Sequence, residues 1–437
     1  MNITKDAIIG FNQEGKKIIS AKFLREICLE IGADDVGFIN IDNPEISNYK
    51  KELTNLFPKV KGIISFVCRM NKEPVRSAHR SIANNEFHHV SHETIKIGHE
   101  IAKKMESLGI KSMNEPVGFP MEAENFPDKM WMISFKPLAE ATGLGKMGIH
   151  RNIIHPKFGN FILLGAVLID IEIDKEDSPI NYNPCFECKL CVAACPVGAI
   201  SPQGEFNFSS CYTHNYREFM GGFNDWVENI AESKNRFDYR KKVSDSESIS
   251  MWQSLAFGSN YKAAYCMSVC PAGENIINEY MENKKAFIED IVKPLQKKEE
   301  TLYVVKGSDA ESYALKKFPN KKIKNIHNGL FAKSIKSLIS SMPIVFQKTP
   351  SLGLDAIYNF TFTGNENVKI NITIKDQKIT IKEGLKEQSD LNIVADSKTW
   401  LKFLRKEKNL FWAIATGKIK FRGNIKLLQD FGKCFPN

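Results

Sequence analysis

The sequence predicts three folded parts in a row: an α/β N-terminal domain, a cysteine-rich module, and a C-terminal α+β domain reached through a connector. Helical and strand-like apolar periodicities interleave over residues 1–180. Of the ten cysteines, Cys185, Cys188, Cys191, Cys195, Cys211, Cys266 and Cys270 crowd into residues 181–290. Residues 291–345 connect, and from residue 346 to 437 the pattern turns to alternating strands.

Each element has a local reason. Residues 18–31 read as a helix with Phe23, Leu24, Ile27, Cys28 and Ile31 on one face, ended by Gly32 as a C-cap. Residues 60–67 (VKGIISFV) read as a strand, and residues 91–108 as a second helix stopped by Gly109. The run FILLGAVLIDIEI, 161–173, suits a strand buried on both faces in a mixed α/β sheet. Residues 212–262 look helical, with Trp226 and Trp252 as packing residues. The connector holds a strand at 301–305 and a helix at 310–317, and residues 335–344 are apolar enough to pack. Beyond it, Ala356, Tyr358, Phe360 and Phe362 alternate with polar residues, as do Val368, Ile370, Ile372 and Ile374. Lys375-Asp376-Gln377 makes a tight turn between such strands. Residues 397–408 read as a helix with Ser397 as N-cap and Trp400, Leu401 and Leu404 inward.

Composition excludes whole classes of protein. The apolar share of 43% and charged share of 25% are ordinary for a chain that buries cores. The longest apolar run, Phe161 to Ile169, is far short of the roughly 20 residues that span a bilayer. Residues 1–20 lack the apolar stretch of a signal peptide, so the expectation is a cytoplasmic protein. The formal charge of +9 is spread over short pairs. Arg240-Lys241-Lys242 therefore reads as solvated surface, and no nucleic-acid partner is expected.

In a reducing compartment, clustered cysteines point to metal rather than disulfides. Cys185-x-x-Cys188-x-x-Cys191-x-x-x-Cys195-Pro196 has the spacing of a bacterial ferredoxin run. Two-residue gaps wrap three thiolates around one [4Fe–4S] cube, and the fourth cysteine, before proline, serves a second cube. Zinc sites more often pair two distant C-x-x-C units. Cys266-x-x-x-Cys270-Pro271 repeats the ending of the run, but Ala263 stands where one further cysteine would be. Cys270 is expected to complete the first cube with Cys185, Cys188 and Cys191. Cys195, Cys266 and Cys211, the last in a polar loop, are left for a second. Three thiolates could hold a [3Fe–4S] centre, or a [4Fe–4S] centre with a fourth ligand such as His214. Cys434 is expected to be a free thiol.

Around these residues the chain resembles a known superfamily. Lys136-Pro137-Leu138-Ala139, then Gly143-Leu144-Gly145 and Gly148, is similar to the glycine-rich AGLGWIGK region of epoxyqueuosine reductases, and reductive dehalogenases carry a comparable segment. Phe158-Gly159-Asn160-Phe161 to Asp170, the ferredoxin run and the separated Cys211 follow in the same order, over about residues 18–275. The resemblance implies a cobalamin in the N-terminal region, fed with electrons by two [4Fe–4S] clusters for reductive chemistry. It implies a low-potential donor such as ferredoxin or flavodoxin. It also implies an acidic proton donor upstream of the glycines. Family spacing lands on Lys129, so Asp128 and then Glu124 are the candidates, with Tyr212 a further one. Gly143, Gly145 and Gly148 are read as a tight turn letting backbone approach a cofactor or a neighbour. The lysine of the family segment falls on Ile149, and the family's tRNA-binding helical repeats are not visible.

Tyr358-Asn359-Phe360-Thr361-Phe362-Thr363-Gly364, Ala395-Asp396-Ser397 and Ala415-Thr416-Gly417-Lys418-Ile419 resemble a sterol-carrier-protein domain. That resemblance implies an apolar tunnel for a lipid or other apolar small molecule. The aromatic content permits either a cavity or a solid core. The expected function is an iron–sulfur oxidoreductase, corrinoid-dependent by resemblance. A non-catalytic electron carrier or a redox-sensing lipid-binding protein is the alternative.

Overall fold

The computed structural model describes residues 9–115, 131–185, 187–327 and 332–436. The chain divides into two compact units. One runs to Ala194 and takes in Ile200–Phe206 and Ala264–Lys297, and the other holds Cys195–Ala199, Asn207–Ala263 and everything from Lys298 on.

The first unit is built on a four-stranded sheet. Helix α1 (Ala21–Ile31) starts at Ser20, whose hydroxyl accepts from the Phe23 N–H, and stops at Gly32, whose φ of 121° favours glycine. Then come β1 (Asp35–Asn40), β2 (Gly62–Arg69), α2 (Arg80–Ser107), β3 (Ser112–Asn114), α3 (Phe135–Ala141) and β4 (Ile162–Ile169). The strand order is β1-β2-β4-β3, and every pairing in it is antiparallel. The mixed sheet expected from the sequence is thus corrected: apolar runs mark burial on both faces, which β2 and β4 have, but do not fix strand direction. Helix α2 begins eleven residues before the predicted start at residue 91. Its first turns bury Arg80, Asn84 and Glu86, polar residues that hide the apolar stripe from a periodicity reading. Where β2 and β4 pair, Gly165 lies against the Phe66 ring. Short helix α4 (Leu190–Ala194) carries Cys191.

The second unit opens with helices α5 (Phe208–Asn215), α6 (Met220–Ala231), α7 (Arg236–Lys242) and α8 (Asp245–Phe257). Trp226 Nε1 donates to Tyr239 Oη at 2.9 Å, which meets Ser248 Oγ at 2.9 Å, so one polar chain links α6, α7 and α8. Trp252 is not the packing residue predicted: it is 60% exposed, because α8 turns Met251 and Ser254 inward instead. Strands β5 (Thr301–Val304) and β6 (Lys322–Asn325) pair in parallel, flanking a helix at Asp309–Lys317. Helix α9 (Ile335–Val345) leads into a five-stranded sheet of β7 (Ala356–Thr363), β8 (Val368–Lys375), β9 (Lys378–Glu383), β10 (Leu391–Asp396) and β11 (Ile419–Gly423). Its order is β9-β8-β7-β10-β11, with β7 and β10 parallel and the other pairs antiparallel. Asp376 and Gln377 both take left-handed φ, as a two-residue hairpin turn requires. Helices α10 (Ser397–Leu404), α11 (Leu410–Ala415) and α12 (Lys426–Lys433) complete the unit. The N-cap of α10 is Asp396 rather than Ser397: its carboxylate accepts from the Thr399 N–H at 2.9 Å and the Thr399 hydroxyl at 2.5 Å. The core is aromatic, with Trp400 edge-on to Phe360 at 5.6 Å and Phe431 against Tyr358 at 4.9 Å. Cys434 is fully buried there, its Sγ donating to the Asp430 carbonyl at 3.3 Å, and burial pushes its thiol up to about 11.

Candidate metal centre

Three cysteines of the ferredoxin run come together on one cavity. Glu187 and Lys189 both adopt left-handed backbone, with φ of 55° and 52°, so the chain turns tightly just ahead of α4. Cys185, Cys188 and Cys191 line one cavity of about 230 Å3, and Cys270, which follows the short Tyr265–Ser268 helix, lines it as well. Pro271 and Ala272 continue the wall. Four thiols from two distant stretches of sequence thus face one space.

Their electrostatics record the crowding. Burial pushes the Cys191 thiol far up, and the neighbouring Cys266, Cys270, Cys188 and Cys185 push it further. Burial also raises Cys270, to about 12, with Cys188, Cys185 and Cys266 adding to the shift and the Ala272 N–H opposing it. Burial favours the neutral thiol form of Cys191 and Cys270, and binding of cationic iron would replace their protons. Among the described residues, no three His, Cys, Asp or Glu side chains close on a point that a single ion could occupy. Four thiols lining one cavity match in number the one-cysteine-per-iron ligation of a polynuclear cluster.

One wall residue was missed by sequence reasoning. His150 lines the cavity beside the cysteines, 4% exposed, and burial first, then Lys136, lowers its pKa to about 4. Its Nδ1 accepts from the Asn152 N–H at 3.1 Å, and its Nε2 lies 3.4 Å from the side-chain amide nitrogen of buried Asn160. Asn152 itself takes a hydrogen bond from Lys136 Nζ at 3.2 Å and directs its amide to Cys266 Sγ at 4.0 Å. The signal available was position: His150 and Asn152 directly follow the glycine-rich segment.

Those glycines pack against protein. A Cβ on Gly143, whose φ is 72°, would lie 2.6 Å from the Ser178 carbonyl, and one on Gly145 2.6 Å from the Ile154 carbonyl. A Cβ on Gly148 would meet Ile154 Cδ1 at 2.7 Å. The close approach they permit is to neighbouring chain, which seats His150 on the cavity.

The other predicted residues fall as follows. Cys195 belongs to the second unit, is buried, and its Sγ accepts from the Ala199 N–H at 3.3 Å. Cys211 is not in a loop: Asn207 caps a helix there by accepting from the Ser210 N–H at 2.9 Å, which puts Cys211 on α5. His214, one turn on, is fully buried; its Nδ1 accepts from the Tyr303 N–H at 3.3 Å, and burial lowers its pKa to about 4. Tyr212 is buried between Phe208 and Tyr216, which raises its pKa. Ala263 is buried, its N–H held by Asn215 Oδ1 at 3.0 Å. Glu124, Asp128 and Lys129 lie outside the described residues.

Comparison with known proteins agrees with this geometry. Residues 178–201 match the 4Fe-4S binding domain model, and residues 351–436 match the SCP-2 sterol transfer family. Epoxyqueuosine reductase from Prochlorococcus marinus (strain NATL2A) is 28% identical over 176 residues, 39% of this chain and 51% of that one. The chain resembles the epoxyqueuosine reductases. The Escherichia coli (strain K12) enzyme is 35% identical over 86 residues, 20% of this chain and 22% of its own length. The Cellulophaga algicola (strain DSM 14237) enzyme is 24% identical over 239 residues, 48% of this chain and 74% of that one. This chain thus spans about half of the Prochlorococcus relative and 28% of the Aliivibrio fischeri one. Among solved structures, epoxyqueuosine reductase from Streptococcus thermophilus aligns at 16% identity over 68% of this chain and 80% of that one, with a TM-score of 0.35. A catabolic reductive dehalogenase aligns at 14% identity over 67% and 38%, with a TM-score of 0.38. No helix among the described residues is long and apolar enough to cross a membrane.

Proposed function

We propose that this chain is a cytoplasmic iron–sulfur oxidoreductase that relays single electrons to a reductive site in its N-terminal part. The observation that carries the reading is the single cavity walled by Cys185, Cys188, Cys191 and Cys270. When bound, a [4Fe–4S] cluster accepts and releases one electron at a time at low potential. The protein's own part is to surrender the thiol protons, to keep water from the buried Cys191 and Cys270, and to hold His150 neutral beside them. A second cluster on Cys195, Cys211 and Cys266 belongs to the proposal, as a [3Fe–4S] centre or with a non-cysteine fourth ligand, because Ala263 supplies no thiolate. His214, already accepting from Tyr303 N–H, has only Nε2 left for such a role.

A cobalamin in the N-terminal region rests on the resemblance alone, and no step above depends on it. Asp128 or Glu124 would then be the proton donor. A ferredoxin or flavodoxin would supply electrons. The C-terminal domain would bind a lipid or other apolar small molecule. Anaerobic titration with cob(II)alamin tests the corrinoid: an EPR spectrum shifted to the base-off form is expected. No uptake at any reduction level overturns it. Ala263 and Lys129 favour one second reading, an electron carrier that keeps the cluster without the chemistry. Substrate-free cluster reoxidation by a redox partner, with no cobalamin uptake, would select it.

A further inference from the structure

The C-terminal domain carries an exposed apolar and cationic face that no role above uses. On α11, Phe411 is 80% exposed, Trp412 46% and Ile414 38%, and only Ala413 of that helix is buried. Ile425, just ahead of α12, is 61% exposed. A six-residue helix that turns three of its large apolar side chains to solvent is poorly explained by the domain's own core.

The charges near it in sequence are mostly of one sign. Residues 396–433 contain ten Lys and Arg residues, against Asp396, Glu407 and Asp430, and the Asp396 carboxylate feels Lys418 and Lys398. Asp430 is paired with Lys433 at 2.7 Å. Lys406 and Lys408 precede α11 and Lys418 and Lys420 follow it, so cations flank the aromatic residues on both sides in sequence. Lys408 Nζ stands 4.0 Å from the centre of the Trp412 ring. Edge strand β11 turns Lys420 and Arg422 outward, with Val394 of β10 opposite Lys420.

We propose that this face docks on an anionic lipid bilayer. Trp and Phe favour the boundary between headgroups and acyl chains, and lysines beside them are drawn to anionic headgroups. A nucleic acid would satisfy the cations, but its phosphate backbone offers nothing to Ile414 and Ile425. An acyl boundary satisfies both. The inference stands on exposure and charge and does not require that the domain hold a lipid inside.

The test is flotation of the full chain, purified anaerobically, with phosphatidylcholine vesicles made with and without phosphatidylserine. Binding is expected only when phosphatidylserine is present, weakening with salt. Phe411→Ser with Trp412→Ser, both at exposed positions, and separately Lys418→Glu with Lys420→Glu, should each lower vesicle affinity by about tenfold or more. Iron content and circular dichroism should stay unchanged. Equal binding to both vesicle types, or full binding by both double variants, overturns the proposal. So does capture of duplex DNA or RNA in place of vesicles. A separate fluorescent fatty-acid displacement assay reads lipid uptake, so loss of docking and loss of lipid binding are told apart.

Discussion

Replacing Lys262 with methionine should reverse the way acid affects stability. Glu218 is 5% exposed and is held by the Ser250 and Ser254 hydroxyls, by Asn260 Nδ2 at 3.2 Å, and by an ion pair to Lys262 Nζ. Burial pushes its carboxyl up, but Lys262 and the hydroxyl donors outweigh that and hold it below the usual 4.5. A depressed carboxylate pKa contributes stability that is full above 4.5 and is lost as pH falls through the lower folded value. In Lys262→Met the carboxylate keeps its burial and loses its countercharge, so its pKa moves above 4.5 and stability falls as pH rises through it. Breaking a buried pair from one side costs about 3–5 kcal/mol; Lys262 is partly solvated, so the lower end, about 3 kcal/mol near pH 7, is expected. That is a midpoint shift of about 1–2 M urea, followed by tryptophan fluorescence. Below the raised pKa, on the order of 1 kcal/mol should return per pH unit. Glu218→Gln with Lys262→Met should sit within about 2 kcal/mol of the parent. A Lys262→Met transition running parallel to the parent's from about pH 5 to pH 8 would refute the reasoning. The Lys262 N–H also donates to the Asn215 carbonyl at 3.0 Å, which ties this loop to the end of α5.

Three further outcomes follow from packing and ligation. Gly165→Ala puts a methyl 2.2 Å from Phe66 Cζ, so the ring must swing, at a cost of about 3 kcal/mol; Phe66→Leu in the same chain should recover most of it, and an additive double variant would contradict the clash. Trp400→Ala empties the space beside the stacked Phe360 and Phe362 rings and should cost about 3–5 kcal/mol in a urea titration; under about 1 kcal/mol would mean that the aromatic core is loosely packed. Cys270→Ser leaves three thiolates on the first cavity, and its EPR should change from a reduced cube signal to an oxidised three-iron signal or vanish. An unaltered cube signal would remove Cys270 from the ligand set.

Much of the fold could be read from periodicity, and much of the site from spacing. The Gly32 stop of α1, the Asp376–Gln377 hairpin and β7 and β8 lie where the pattern put them, but α1 starts at Ala21 rather than residue 18, because Lys17–Ile19 pairs as a strand. The joining of Cys270 to Cys185, Cys188 and Cys191 was legible because thiolate chemistry fixes ligand number and spacing tightly. What stayed hidden depended on tertiary context. Strand direction in the β1-β2-β4-β3 sheet leaves no mark on composition. The first turns of α2 are buried yet polar, so no apolar stripe announces them. Cys211 looked like a loop residue because its flanks are polar, but Asn207 caps a helix there. His150 gave no signal by type alone; only the cavity beside it gives it meaning.

The most direct test is iron and acid-labile sulfide content, with EPR of the dithionite-reduced state, on anaerobically purified parent chain and Cys188→Ala. Iron and sulfide in equal amounts are expected, with a reduced-cube signal in the parent that the variant loses. Zinc in place of iron, or a cube signal that survives Cys188→Ala undiminished, would contradict the account.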